Sequence, residues 1–242
     1  MANNGGTILA NELGTDGIAA ERERGEDVAR VFLRPIASPL ALGFLALSGA
    51  TLVLSGSQLG WVPPSETNYV AFALMAFAFP LQLLSCIFGF LARDAAATGM
   101  GILAGNWLVT GLVKYASTPA STSAALGTFL VFAGAALLIP AIGASFGKLI
   151  PALVLLTAGL RFLLTGVYQL TANTGVQSAA GIVGLVLLGI AFYAALALEI
   201  EGVRHKTLLP VLRVGAGKAS IEGNPNGQLE SVKREPGVRE QL

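Results

Sequence analysis

Long apolar runs, rather than alternating positions, organise this sequence. Six stretches, at 39–60, 69–92, 97–116, 123–146, 149–170 and 178–199, consist almost entirely of apolar and small residues, with short connections between them. Each is long enough to cross a hydrocarbon core, which takes about 20 residues at helical rise. The alternation of a transmembrane β-barrel strand is missing. In lipid a backbone must satisfy its own hydrogen bonds, and a helix does so within one segment. The pattern therefore predicts an all-α membrane protein with six transmembrane helices. Three regions follow: a polar N-terminal segment (1–37), a six-helix domain (38–200) and a polar C-terminal tail (201–242). The first region reads as largely disordered, with a short helix near "IAAERERGEDVARVFL" at the membrane surface. The tail reads as disordered beyond about residue 213, because "GAGKASIEGNPNGQLESVKREPGVREQL" is rich in Gly, Pro, Asn and charge.

Composition agrees with this reading. Hydrophobic residues make up 54% of the 242 and charged residues only 12%, where soluble domains carry about a quarter. The charges also set an orientation. Arg22, Arg24, Arg30 and Arg34 precede the first run, Arg93 follows the second and Lys148 the fourth, and seven more basic residues follow the sixth. Loops 61–68 and 171–177 have none, and the remaining loop has only Lys114 at its edge. By the positive-inside rule both termini are cytoplasmic, in an inner or plasma membrane. The basic residues act first as topology signals, and no nucleic-acid partner is expected. The first apolar run begins only at Pro39, so a secretory signal is not expected. The one cysteine, Cys86, excludes a disulfide within the chain.

Pro80 and Pro140 fall inside the second and fourth runs and predict a kink or a freed carbonyl in each. Small residues at helix-packing spacing predict close backbone approach in the third run, at Gly101 and Gly105. They predict the same in the sixth, at Ala191 and Ala195 and at Gly189 and Ala197.

Candidate chemistry is sparse. The lone histidine, His205, reads as interfacial. HExxH, CxxC, a nucleotide-binding loop and an intramembrane histidine–carboxylate pair are all missing, so neither catalysis nor a cofactor is expected. Polar residues inside the runs are few: Ser48, Thr51, Ser55, Gln82, Ser85, Asn106, Thr110, Thr157, Arg161, Thr165 and Tyr193. Each needs a partner or a hydrated cavity. Arg161 is the extreme case, because a mid-membrane guanidinium costs about 3 kcal/mol or more and no Asp or Glu lies at its depth. Two readings stay open. Arg161 ties helices together through carbonyls and amides, or it faces a cavity that attracts small anions.

Two stretches carry a family resemblance. "IASPLALGFLALSGATLVL" resembles the Asn-Pro-Ala-Pro-Leu-Gly-Leu signature of the acetate/succinate uptake transporter family (SatP/YaaH type). Pro39, Leu40 and Leu42 match it, while Ile36, Ala37 and Ala41 depart from it. "AAGIVGLVLLGIAFYAALALEIEGVRHKTLLPVL" is similar to the family's last helix through Phe192, Tyr193, Lys206, Thr207, Leu209 and Pro210. Gln82 and Ser85 fit its second helix. The resemblance covers about 36–212. It implies passage of small monocarboxylates, and in some members succinate, by a proton-linked or channel-like route. It also implies a pore in each six-helix protomer and assembly into hexamers. It places a constriction on helices one, three and five, at Leu45, Trp107 and Thr157. Arg161 stands where the family carries an uncharged residue, which leaves a larger or dicarboxylic anion open.

The expected function is a membrane transporter or channel for small carboxylates. Arg161, Gln82, Asn106, Ser48, Thr51 and Tyr193 would contact substrate, and Leu45, Trp107 and Thr157 would form the neck. A non-transporting membrane scaffold or sensor with the same fold is the alternative. The expected partners are small carboxylate anions, membrane lipids and copies of the same chain, with no metal.

Overall fold

The structure, a computed structural model, describes residues 37–204, 206–215 and 217–218. His205, the N-terminal segment up to residue 36 and the tail beyond residue 218 lie outside the described residues. Those described form six helical rods: α1 (Leu40–Gln58), α2 (Pro64–Leu91), α3 (Ala97–Ala116), α4 (Ala124–Ser145), α5 (Leu149–Thr171) and α6 (Thr174–Arg204). Five of the six are long and apolar enough to cross a membrane; α3, with Asn106, Thr110 and Lys114, is the exception. Large apolar side chains such as Phe77, Phe90, Phe132, Ile139 and Phe192 cover the outside. A water-soluble protein would bury such a belt, and a bilayer accommodates it.

The rods begin and end for local reasons. Pro64 opens α2 at a position where a missing N–H costs nothing. Ser123 caps α4 by accepting from the Leu126 N–H. Ala172, in the left-handed conformation, ends α5. The Asn173 side chain then accepts from the Gly175 and Val176 N–H groups and starts α6. This cap starts the helix at Thr174, four residues before position 178, where the apolar pattern alone began it. α6 has 31 residues, about 46 Å at helical rise, so it outreaches a hydrocarbon core of about 30 Å.

Both prolines interrupt their rods as expected. A π-helical segment, Ala73–Ala78, precedes Pro80 in α2, and α4 breaks at Leu137, three residues before Pro140.

α1 packs most extensively on α6, α4 on α5, and α5 also on α6. The α4–α5 contact brings backbone almost to backbone. A Cβ added at Gly134 would lie 2.7 Å from the Gly159 carbonyl oxygen, and one at Gly159 would lie 2.8 Å from that of Gly134. Gly127 and Gly166 repeat the arrangement at 2.9 and 2.8 Å. Each helix supplies its two glycines seven residues apart. The small residues of α3 and α6 behave differently: Gly101 packs on Cys86 and Ala191, Ala195 and Ala197 are buried, while Gly105 and Gly189 face open space.

At the end of the bundle that carries Asp94 and Lys148, the chain beyond α6 folds back onto α5. The Leu149 and Ile150 N–H groups, free at the start of a helix, donate to the Leu212 and Val211 carbonyls at 3.1 and 3.3 Å. Val211 is fully buried. Glu201 accepts from the Arg213 guanidinium and from the Thr207 hydroxyl. Lys148 bridges to Asp94 at 3.0 Å. Arg213→Ala is expected to cost about 1–3 kcal/mol, because it strips a partly buried carboxylate of its partner. The check is the melting temperature in detergent: a drop of a few degrees, with most of it recovered in Arg213→Ala/Glu201→Gln.

Candidate functional site

Three helices carry polar residues at one-turn spacing on the faces they turn inward. α1 presents Ser48, Thr51, Ser55 and Gln58; α3 presents Asn106, Thr110 and Lys114; α5 presents Arg161, Thr165 and Gln169. Steps of three and four keep residues on one face of a helix. All of these are buried except Lys114, which is half-buried.

Arg161 is completely buried. Its Nη2 donates to Ser55 Oγ at 3.4 Å and to Gln58 Oε1 at 3.3 Å, both long for charged bonds. Gln58 Nε2 donates to Thr165 Oγ1 at 3.1 Å, and the Thr165 hydroxyl donates to the Arg161 carbonyl at 2.9 Å. The guanidinium carbon sits 6.0 Å from the centre of the Trp107 ring, at the edge of cation–π range. Arg161 Nε and Nη1 have no protein partner. Neither do the Thr51 hydroxyl, the Thr110 hydroxyl or either end of the Asn106 amide. Buried polar atoms are normally paired. Among the described residues, these six atoms all belong to the inward stripes of α1, α3 and α5.

Glycine makes the space for this cation. A Cβ on Gly184 of α6 would meet Ser55 Oγ and lie 2.5 Å from Arg161 Nε. Both obstacles are side chains, so Gly184→Ala is expected to displace the guanidinium rather than unfold the bundle. The expected outcome is a destabilisation within the roughly 1–3 kcal/mol range of overpacking, read as a drop of a few degrees in the melting temperature in detergent.

A cavity of about 380 Å³ opens above the arginine, at the end of the bundle away from Asp94 and Lys148. Gln58, Thr110 and Thr165 line it, and Gln58 and Thr165 also hold Arg161. No acidic residue lines it. In the other direction the inward stripes turn apolar, with Leu47 on α1, Met100 and Leu103 on α3 and Leu155 on α5 all fully buried.

The remaining expected site residues are distributed unevenly. Trp107 Nε1 donates to Gln82 Oε1 at 2.7 Å, and Gln82 Nε2 donates to the Gly43 carbonyl at 3.1 Å. Gln82 thus spends both ends of its amide orienting the indole. The Ser48 hydroxyl donates to the Phe44 carbonyl of its own helix at 2.8 Å. Tyr193 is far along α6, where its hydroxyl donates to the Pro210 carbonyl at 2.9 Å. Leu45, Trp107 and Thr157 do not meet in one neck. Leu45 lies with Leu42 and Leu52 on the outer face of α1 and is 44% exposed. Thr157 lies beside the outward Leu153, Leu156 and Leu160 of α5, its hydroxyl donating to the Leu153 carbonyl. Trp107 alone faces inward. At about 100° per residue, a shift of two positions along a helix moves a side chain from lipid to core. Gln58 and Gly184 were not singled out from the sequence. Gln58 had a legible signal, three residues beyond Ser55 on the same stripe; Gly184 had none.

No protein-family model matches the sequence, and no curated protein matches it. The fold is similar to a solved structure, titled as that of the bacterial acetate channel SatP. The two align over 73% of this chain and 99% of that one, with a TM-score of 0.64 and 18% identity. This chain has the SatP fold. The aligned share takes in nearly all of that channel.

Proposed function

We propose that the protein is a channel or transporter for small, acetate-like carboxylates in the cytoplasmic membrane. The observation that carries this reading is the buried Arg161, with two unpartnered nitrogens, lying under a cavity that has no acidic lining. The SatP fold supports the substrate class.

A carboxylate leaving water needs donors along its route. Arg161 Nε–H and Nη1–H₂, the Asn106 Nδ2–H₂ and the hydroxyls of Thr51 and Thr110 supply them along the inward stripes of α1, α3 and α5. Several weak contacts suit passage better than one tight site. The apolar stretch of Leu47, Met100, Leu103 and Leu155 acts as the neck. It passes the acid with its hydration shell removed or its carboxyl protonated. No Asp or Glu lies near the deep donors among the described residues, so any proton coupling rides on the acid's own proton. α3 crosses the membrane with the other five helices, both termini are cytoplasmic, and the cavity faces outward. Succinate passes if the neck opens wide enough, and protomers assemble as hexamers.

The test is uptake of labelled acetate, propionate and succinate into liposomes that contain the purified protein. Saturable uptake above protein-free liposomes is expected for acetate and propionate. No uptake of any of the three would leave the non-transporting scaffold.

A further inference from the structure

Lys114 is not needed to explain the deep donors, yet it is the one charged residue lining the cavity above them. It also lines the smaller cavity next to it. Among the described residues it has no carboxylate partner and no hydrogen bond. Glu66, the one acidic residue at this end among the described residues, sits in the first turn of α2, is exposed and lines neither cavity. A lysine in the last turn of a helix commonly serves the terminal carbonyls. Lys114 makes no such bond, and its half-buried side chain lines the cavity wall.

The surrounding groups suit an anion. Gln169 Oε1 accepts from the Ser123 N–H at 2.8 Å, which leaves its NH₂ as the free end. Gln177 and Ser57 add further donors to the lining. A cavity of about 380 Å³ has ample room for a two- to four-carbon acid. Lys114 stands two turns above Asn106 on the same face of α3, about 12 Å by helical rise. A short carboxylate cannot touch both depths at once.

We propose that this vestibule is a second anion site, organised by Lys114, which captures a small carboxylate in its ionised form before it reaches Arg161. The inference rests on the carboxylate reading above. The ammonium raises the local concentration of anions, and the neutral donors hold the acid loosely enough to release it inward. A fixed charge lining a low-dielectric cleft has this effect on capture, and salt weakens it.

Two measurements test it, one of them independent of flux. Acetate, but not the uncharged acetamide, is expected to protect Lys114 from acylation by a neutral amine reagent in the detergent-solubilised protein, as read by mass spectrometry. Equal labelling in acetate and acetamide would overturn the site, whatever the flux. In liposomes, Lys114→Gln is expected to raise the half-saturating acetate concentration about tenfold at low ionic strength. The gap should close near 1 M salt, where the screening length is about 3 Å, and Lys114→Arg should behave as wild type. Wild-type half-saturation and salt dependence in Lys114→Gln would make Lys114 only a helix-end cation. Protection without flux in the wild type would keep the anion site and remove the transport reading instead.

Discussion

Arg161→Met is expected to abolish saturable acetate flux while leaving the bundle at least as heat-stable as wild type. The two effects separate because the guanidinium is poorly served by the protein. It has two hydrogen bonds longer than 3.2 Å, one distant aromatic face and two unpartnered nitrogens. A buried cation so sparsely paired works against folding, and a well-packed apolar replacement is often neutral or stabilising. Gln58 loses a donor in the variant, but it borders the cavity, where water can replace that donor. On the ligand side, two charge-assisted hydrogen bonds of about 1.5 kcal/mol each disappear, which corresponds to about a 100-fold weaker site. Arg161→Gln should fall between the two, because an amide still donates but carries no charge. Flux in liposomes and melting temperature in detergent decide the matter together. A large loss of thermal stability with flux retained would make Arg161 a structural tie between α1 and α5.

The second large effect is on stability and lies elsewhere. Gly159→Val is expected to cost about 3 kcal/mol or more, at the upper end of single-residue effects. The atom that a side chain would meet is the Gly134 carbonyl oxygen, at 2.8 Å from the first added carbon. Backbone cannot rotate away as a side chain can, so α4 and α5 would have to separate along their contact. Gly127 and Gly166 would be pulled with them. Gly134→Val should behave the same way from the other side. Gly143→Ala, on the same α4 rod, meets nothing within 4 Å and should be neutral or slightly stabilising by helix propensity, at most about 1 kcal/mol. Equal melting temperatures for Gly159→Val and Gly143→Ala would contradict this account of the α4–α5 packing.

These two sites mark the boundary of what the sequence made legible. The apolar runs determined the class of fold and the extent of all six rods to within a few residues. Lipid leaves a backbone so few choices that length and polarity are nearly sufficient. Arg161, Asn106, Thr51 and Thr110 were legible as candidates for the same reason, since a polar side chain within an apolar run is costly. Pro80 and Pro140 announced their own interruptions, because the ring removes a donor whatever surrounds it. The tertiary structure decided what faces what. It turned Leu45 and Thr157 outward and Trp107 inward, and it spent both ends of the Gln82 amide on orienting the indole. It also brought Lys114 to the wall of a cavity that no local pattern encodes. Rotation about a helix axis is set by the neighbouring helices, and an apolar run carries almost no amphipathic signal when lipid and core are both greasy. The glycine contacts show this most plainly. Spacing of four drew attention to α3 and α6, but two antiparallel helices met at glycines seven apart in α4 and α5. Only the pairing of Gly134 with Gly159, and of Gly127 with Gly166, gives that spacing its meaning.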